Sequence, residues 1–325
     1  MRPIAKTRRG RRAYVALGVL IIGSSAPAVA LAVGQPEAQS AIQFSVDRHQ
    51  LVFGQDVVVT GSATTAAAGH TVQLQFARAG TRTWQSLGSA TARSDGGFRF
   101  AVRLKRSGLL RVAPGTPTST DRELALSNPG ALSTGGVSPS ASTRVSVAAR
   151  FDVSPQTFNA LAGQAVDIRG RLLPGLVGRE VRLQGQGPGG GWQTLATSRT
   201  GGRGGFDLHY SPQSTGRESL RVRFAGDRLN AWTGVHVGQL IVYRQAVASW
   251  YDDAEGTACG FHAYFGVANK TLPCGTNVTF RYNGRSVTAV VDDRGPFISG
   301  RDWDLNQNTA GALGFGGVDV VWSSL

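Results

Sequence analysis

The sequence of 325 residues has few of the residues that build metal, redox or helical proteins. It contains two cysteines, five histidines and one methionine, and only 17% of its residues are charged. The histidines are dispersed and no cysteine or histidine spacing is that of a metal site, so we expect neither a metal nor another cofactor. No long stretch repeats apolar residues at the period of a helix, which argues against a mainly helical protein.

Short runs of alternating apolar and polar residues take the place of helical patterns. Glycine, serine and asparagine separate these runs, and glycine alone accounts for 44 residues. Alternation with a period of two is typical of strands with one buried face. The sequence therefore predicts an all-β protein, and its length predicts two or three domains.

The middle of the chain contains an internal repeat. Segments recur at an offset of 108 to 110 residues, among them Trp84-Gln85-Ser86-Leu87 with Trp192-Gln193-Thr194-Leu195, and Gly96-Gly97-Phe98 with Gly204-Gly205-Phe206. A period near 100 residues fits two β-sandwiches in tandem, which resemble bacterial immunoglobulin-like modules over residues 40–148 and 149–244. We expect Trp84 and Trp192 to anchor the two cores. Residues 114–142, rich in Ser, Thr, Gly and Pro, are expected to form a long loop.

Residues 1–32 have the parts of an export signal. A start rich in Lys and Arg precedes a short apolar run at 13–22, and Ala30-Leu31-Ala32 has the pattern of a cleavage site. The apolar run is too short to span a membrane comfortably, so we expect cleavage and no stable membrane anchor. No cysteine follows the cleavage site, so a lipid anchor is not expected. The sequence thus predicts an extracellular or cell-wall protein, and leaves open the general secretory and twin-arginine routes.

Basic charge is concentrated in the middle of the chain. Residues 33–245 hold 23 Lys and Arg against 12 Asp and Glu, a net charge of +11, whereas residues 246–325 hold five against eight, a net charge of −3. The arginines are scattered and form no stripe with aromatic residues, so we do not expect nucleic acid as a partner. Acidic envelope polymers fit an exported basic region better. Trp232 and Tyr210 are candidates for stacking on sugar, although packing in the core or at an edge is the commoner role.

Candidate chemistry lies near the C-terminus, where Asp292 and Asp293 end an apolar run and Arg294-Gly295-Pro296 follows at once. Asp304 comes eleven positions after Asp293, beside Trp303. Carboxylates near an aromatic ring suit carbohydrate, because rings stack on the aromatic face and carboxylates bond hydroxyls or move protons. An ordinary turn with an Asp–Arg pair is the alternative for the four residues taken alone.

The segment from about Ala246 to Trp322 resembles the RlpA-like (rare lipoprotein A) family. The resemblance is carried by Ala248-Ser249-Trp250-Tyr251, by Gly266 to Thr276, by Asn283-Gly284-Arg285-Ser286-Val287, by Asp293-Arg294-Gly295-Pro296 and by Asp304-Leu305. It implies a six-stranded double-psi β-barrel over residues 245–325, a fold that this family shares with expansins and some lytic transglycosylases.

The resemblance also implies a site. Asp293 matches the catalytic carboxylate of the RlpA-type lytic enzymes, and Asp304 matches a second carboxylate of the family. The substrate contacts that we expect are Ser249, Tyr251, Asn269, Arg294 and Trp303. Asn269 is a departure, because those enzymes have a histidine there, and an amide can bond a sugar or orient Asp293 but cannot carry a proton.

The two cysteines, Cys259 and Cys274, both lie in this segment. Export favours a disulfide between them, and a catalytic thiol is the alternative. A closed loop of that length should stabilise the fold by roughly 3 kcal/mol in the chain-entropy model.

Two functions are compatible with these residues. The first is a peptidoglycan lytic transglycosylase with Asp293 as acid and base, which forms 1,6-anhydro ends without water. The second is an expansin-like module that binds and loosens glycan without cutting it, and a purely structural wall protein is a third reading. In either of the first two, the partner is the peptidoglycan glycan strand. We also expect a short exposed link at residues 243–247, between the second sandwich and the barrel.

Overall fold

The computed structural model describes residues 42–64, 70–115, 139–187, 189–252 and 256–325. The expected export signal and most of the expected loop at 114–142 lie outside these residues. The described chain is all-β. Its strands, in order, are β1 Ile42–Val46, β2 Gln50–Val52, β3 Asp56–Ala63, β4 Thr71–Arg78, β5 Trp84–Thr91, β6 Gly97–Arg103, β7 Gly108–Pro114, β8 Thr143–Ala148, β9 Arg150–Asp152, β10 Gln156–Leu161, β11 Val166–Leu173, β12 Glu180–Gln186, β13 Trp192–Arg199, β14 Gly205–Tyr210, β15 Gly216–Phe224, β16 Thr233–Tyr251, β17 Gly266–Ala268, β18 Asn277–Tyr282, β19 Arg285–Asp293, β20 Trp303–Asn306 and β21 Asp319–Ser323. One short helix, α1 Gln307–Leu313, lies between the last two strands.

Two β-sandwiches occupy the repeated region. In the first, the sheet β1-β3-β6 faces the sheet β2-β8-β7-β4-β5. In the second, the sheet β14-β11-β9 faces a sheet that runs β13-β12-β15-β16, with β10 also paired to β16. Each pair of sheets buries one apolar cluster from the inward residues of both layers. The strand orders match between the two repeats, as the constant offset in the sequence predicts.

A glycine under a phenylalanine ring recurs in both sandwiches. Gly61 lies opposite Phe98 in the register of β3 and β6, and Gly170 lies opposite Phe206 in that of β11 and β14. A methyl group on Gly61 would lie 2.5 Å from the ring of Phe98, and one on Gly170 would lie 2.8 Å from that of Phe206. Both glycines therefore make room for the aromatic ring that fills the core.

Trp84 and Trp192 do not anchor the cores, so that expectation is wrong. Neither residue belongs to the buried clusters. Each begins an outer strand of its sheet and stacks under a guanidinium on the solvent side: Arg111 lies 4.1 Å from the ring of Trp84, and Arg221 lies 3.9 Å from that of Trp192.

Strand β16 is unusually long and belongs to two structures. Its first part pairs with β15 in the second sandwich, and its last part pairs with β20 and β21. The expected exposed link at residues 243–247 is therefore wrong, because these residues lie inside the strand, with Tyr243 and Ala246 buried. A boundary at 244/245 would divide a continuous strand.

The C-terminal strands close into a six-stranded barrel. The hydrogen-bonded order is β16-β20-β17-β19-β18-β21, and β21 returns to pair with β16. Phe280 and Trp303 pack edge to face in its core, 5.1 Å between ring centres. Helix α1 begins at Asn306, whose side chain accepts a hydrogen bond from the Thr309 N–H, and it ends at Gly314 in the left-handed region. Among the described residues, no helix is long and apolar enough to cross a membrane.

Candidate functional site

A row of four residues crosses four neighbouring strands of the barrel. Ser249 on β16 is aligned with Asp304 on β20, and Asp304 is aligned with Ala268 on β17. Ala268 is in turn aligned with Asp293 on β19, next to a bulge in that pairing. Aligned residues on adjacent strands point to the same face of a sheet. The barrel therefore gathers Ser249, Asp304 and Asp293, all expected as site residues, around the small side chain of Ala268; this set is called the carboxylate row below.

Asp292, the residue before Asp293, is fully buried. Its carboxylate accepts hydrogen bonds from the backbone N–H groups of Ala263, at 2.8 Å, and Val267, at 3.1 Å. It also lies directly over Gly266, where a methyl group would come within 2.3 Å of a carboxylate oxygen. Asp292 thus fixes the start of β17 and the loop that precedes it.

Asp293 is held in place by backbone groups on both sides. Its Oδ1 accepts hydrogen bonds from the N–H of Ala258 and from the N–H of Arg294, both at 2.8 Å. Its backbone carbonyl accepts one from the N–H of Asn269 at 3.1 Å. Such contacts fix the carboxyl group in one orientation and leave its second oxygen for a ligand.

The disulfide between Cys259 and Cys274 is present, with 5.8 Å between the α-carbons. It ties the loop that precedes β17 to the loop that follows it. The first of these loops carries the N–H groups of Ala258 and Ala263, which bond Asp293 and Asp292 respectively. The prediction from export and spacing is confirmed, and the bond stands directly beside the carboxylate row.

Asp304 is the member of the row with altered acidity. Its burial raises the pKa of the carboxyl group above the ordinary value, and the nearby charge of Asp293 raises it further. The nearby hydroxyl of Ser249 and the charge of Arg301 act in the opposite direction but do not cancel the effect. The carboxyl group of Asp304 therefore holds its proton to a higher pH than a free aspartate does.

Arg294 and Asn269 support loops instead of lying open to a ligand. The Arg294 guanidinium donates to the carbonyls of Asn269 and Leu272, at 3.1 and 2.8 Å, and to the Cys274 sulfur at 3.0 Å. The Asn269 side-chain oxygen accepts from the N–H groups of Thr271 and Leu272, at 3.0 and 2.9 Å. Both were expected to touch substrate, whereas here they shape the turn that packs against Asp293.

Trp303 lies in the barrel core, so the expectation that it stacks on sugar is wrong. Its side chain is only 1% exposed and packs against Phe280. The physical reason is alternation: Asp304 faces the site, so its neighbour along the strand must face inward. Tyr251, two residues after Ser249 on β16, lies on the same face as that serine and is partly buried.

Phe297 is an aromatic residue at the site to which the sequence assigned no role. Its side chain is 84% exposed, in the loop that follows β19. The backbone of Gly295 lies between it and the row: a methyl group on that glycine would be 3.8 Å from Ala268 Cβ and 3.9 Å from the ring of Phe297. The available signal in the sequence was a large aromatic residue directly after the Gly-Pro turn.

Another cluster of polar side chains lies on the second sandwich. Asp167, Asp207 and His209 come together across β11 and β14, a grouping that their positions in the sequence do not announce. Arg169 already bonds both carboxylates, at 3.2 and 2.8 Å, so the cluster is an exposed ion-pair network.

The sequence matches to known proteins that are described next fall in the barrel. A family model described as "Lytic transglycolase" matches residues 243–321. The probable endolytic peptidoglycan transglycosylase RlpA of Nostoc sp. is 40% identical over 87 residues, which cover 24% of this chain and 24% of that protein. The protein of the same name from Aquifex aeolicus is 37% identical over 81 residues, 22% of this chain and 35% of the relative. The chain thus spans about a quarter to a third of the length of these curated relatives.

Among solved structures, the tetra-tandem repeat in the extending region of a large adhesion protein aligns with 80% of this chain and 66% of its own. The sequence identity is 14% and the TM-score is 0.34.

Proposed function

We propose that the C-terminal barrel binds peptidoglycan glycan strands and cleaves them as a lytic transglycosylase, in a protein exported to the cell wall. The observation that carries the proposal is the carboxylate row, which aligns Asp293 and Asp304 on strands either side of Ala268. The match of residues 243–321 to the lytic family supports it. The proposal includes the double-psi connection of the six strands and the immunoglobulin-like character of the two sandwiches.

The spacing of the two carboxylates suits a sugar ring. Asp293 and Asp304 are two strands apart, so their backbones are separated by roughly 10 Å. In glycosidases, carboxyl groups that leave room for an attacking water beside the sugar lie roughly 6.5–9.5 Å apart, and in the proposed reaction the C6 hydroxyl would take the place of that water. Ala268 between them has a small side chain, which adds little bulk between the two carboxyl groups.

The raised pKa of Asp304 supports a division of labour between the two carboxyl groups. Asp304 holds the proton and donates it to the glycosidic oxygen as the bond from that oxygen to C1 breaks. Asp293, fixed by two backbone N–H groups, offsets the positive charge that develops at C1. The C6 hydroxyl of the same sugar then bonds to C1 and its proton returns to Asp304. The products are a free hydroxyl and a 1,6-anhydro ring, and no water is consumed.

This division differs from the role that the family resemblance implies for Asp293. That assignment, with Asp293 as both acid and base, stays a prediction. The two versions differ in which residue sets the pH dependence of cleavage, because the group that donates the proton controls the loss of rate at high pH.

Phe297 supplies the exposed aromatic face for sugar stacking that the buried Trp303 cannot offer. Its exposed ring lies across the Gly295 backbone from Ala268 and can stack on the sugar next to the cleaved bond. Replacing Phe297 by alanine should raise KM for glycan with a smaller effect on kcat, because stacking binds the ground state and the transition state alike.

The test incubates purified protein, without its first 32 residues, with peptidoglycan. The soluble products are then analysed by mass spectrometry for 1,6-anhydro ends. We expect anhydro products from the wild type and a loss of roughly 10²–10⁴-fold in both Asp293→Asn and Asp304→Asn. Asp319→Asn, on the barrel surface, is the matched control and should keep full activity. Equal release of anhydro product by wild type and both site variants would reject the carboxylate row as the catalytic site.

Asn269 favours a second candidate function, an expansin-like module that binds glycan without cutting it. The side-chain oxygen of Asn269 is occupied by two backbone N–H groups, and the position lacks the imidazole of the RlpA-type enzymes. In this case the wild type releases no anhydro sugar yet binds insoluble glycan, and Asp304→Asn weakens the binding. Asn269→His separates the two functions, since a gain of cleavage in that variant would show that only the imidazole was missing.

A further inference from the structure

A groove on the solvent face of the second sandwich lies outside the barrel. Trp192, Arg221, Arg223, Trp232 and His236 line it, and it encloses about 360 Å³. These five residues are called the arginine–tryptophan groove below. It combines exposed aromatic surface with positive charge, and it contains no carboxylate.

Arg221 is held ready for a ligand. Its guanidinium stacks on Trp192 at 3.9 Å, and its Nε donates to the Gln184 side-chain oxygen at 2.9 Å. Gln184 is aligned with Arg221 in the pairing of β12 with β15, and a bulge in the pairing of β12 with β13 precedes the glutamine. Within the described chain, no hydrogen bond engages the two terminal nitrogens of Arg221, so the edge that pairs with carboxylate or phosphate stays available.

Positive charge in the groove is not balanced. Arg223 is exposed and follows Arg221 by two residues, on the same face of β15, and it forms no ion pair with any described carboxylate. Burial, and to a lesser extent the charge of Arg223, lowers the pKa of Arg221, so part of this shift comes from repulsion between the two guanidiniums. An anion placed between them would relieve that repulsion.

Trp232 supplies the second component of the groove. It precedes β16 and its side chain is 65% exposed, a large fraction for a tryptophan. An exposed indole next to guanidiniums offers a flat apolar face for a sugar ring beside donors for an anionic substituent.

The first sandwich provides an internal comparison. It repeats the stacked pair, with Arg111 over Trp84 and Arg111 Nε bonded to Gln75 at 2.9 Å, and it repeats the bulge before the glutamine. It has Ala113 where the second sandwich has Arg223, and residues 114–145 contain no aromatic side chain to match Trp232. Only the second copy therefore combines paired arginines with a second indole.

We propose that the arginine–tryptophan groove binds an anionic polysaccharide, with sugar rings on Trp232 and carboxylate or phosphate substituents on Arg221 and Arg223. This binding is separate from the action of the barrel on glycan. It gives the protein a second attachment point on polymers of opposite charge, in agreement with the +11 net charge of residues 33–245.

The experiment measures binding of the protein, without its first 32 residues, to four probes by calorimetry at low salt. Polygalacturonate carries carboxylates on sugar rings, a phosphorylated mannan carries phosphates, dextran is neutral, and polyglutamate is anionic without sugars. Trp232→Ala and Arg223→Ser alter the groove. Trp84→Ala and Arg99→Ser make the same changes on the first sandwich, and thermal melts check that all four variants are folded.

We expect one or both anionic polysaccharides to bind, and binding to fall at least about fivefold in Trp232→Ala and in Arg223→Ser but not in the controls. The tighter of the two identifies the anion. Three results would overturn the proposal: dextran binding as tightly, polyglutamate binding as tightly, or Arg99→Ser weakening binding as much as Arg223→Ser. An equal loss in Arg99→Ser would mean that binding depends on overall positive charge and not on a defined site.

Discussion

The barrel and the second sandwich place opposite kinds of site along one strand, β16. In the barrel, carboxyl groups lie partly buried around Ala268, and burial raises the pKa of Asp304. In the sandwich, guanidiniums lie at the surface, oriented by an indole and an amide. In the first region burial raises the pKa of a carboxyl group, whereas in the second a stacked indole orients a guanidinium that stays at the surface.

Asp292→Ala should produce the largest loss of stability, and the loss should be confined to the barrel. The change leaves the N–H groups of Ala263 and Val267 without their buried acceptor, at about 1–3 kcal/mol each. We expect the free energy of unfolding to fall by roughly 2–6 kcal/mol, measured by denaturant titration. Asp293→Asn is the control and should leave stability nearly unchanged. An Asp292→Ala variant as stable as the wild type would contradict the role assigned to this residue.

Breaking the disulfide tests whether the carboxylate row depends on its neighbouring loops. Replacing Cys259 and Cys274 together by serine should lower the free energy of unfolding by roughly 3 kcal/mol. Cleavage should fall as well, because the loop that carries the N–H of Ala258 is no longer tied beside Asp293. Binding at the arginine–tryptophan groove should not change. Reductant should have no further effect on the double-serine variant, which has no disulfide to break. If it impaired that variant too, the effect of reductant could not be assigned to loss of the disulfide.

Asp304→Asn should stabilise the protein at neutral pH while it abolishes cleavage. The folded pKa of Asp304 is raised above its unfolded value, so folding favours the protonated form and its contribution to stability is lost as pH rises through the folded pKa. Asparagine has no charge to bury. The melting temperature of the variant should exceed that of the wild type at pH 7, and the gap should close in acid. A lower melting temperature at pH 7 would show that the carboxylate is stabilised by its surroundings.

The smallest effects should come from the two stacked tryptophans. Trp84→Ala and Trp192→Ala each remove a partly exposed cation–π pair, a contact of about 0.5–1 kcal/mol. We expect similar small losses of stability in both, measured by thermal unfolding. Binding of anionic polysaccharide should separate them, because only Trp192 lines the arginine–tryptophan groove. A loss of several kcal/mol in either would mean that the residue supports the core after all.

Several features of the fold could be predicted from sequence because they depend on neighbours or on constant spacing. Alternation predicted strands, the offset near 109 predicted equivalent sandwiches, and export with two cysteines predicted the disulfide. The alignment of Asp293 with Asp304 through Ala268 could not be predicted from pattern alone, because it depends on which strands pair. The family resemblance selected both residues without giving that arrangement.

Each error has an identifiable physical cause. Alternation shows that a strand has two faces but not which face is covered, so Trp84 and Trp192 were expected inside although they lie outside. Trp303 could have been placed correctly, since it is adjacent to Asp304 and both cannot face the site. The expected link at residues 243–247 followed from treating a domain boundary as a loop, whereas one strand can serve two sheets.

The length of β16 has a mechanical consequence. His236 and Ser249 are thirteen residues apart on this strand, a span of roughly 40 Å in extended backbone. The first part of the strand is hydrogen-bonded to β15, and the last part is hydrogen-bonded to β20 and β21. A force applied between the arginine–tryptophan groove and the carboxylate row would load these hydrogen-bond ladders in shear along the strand, and no loop interrupts the strand between them. The strand would then keep the two sites at a fixed separation while both are bound to polymer.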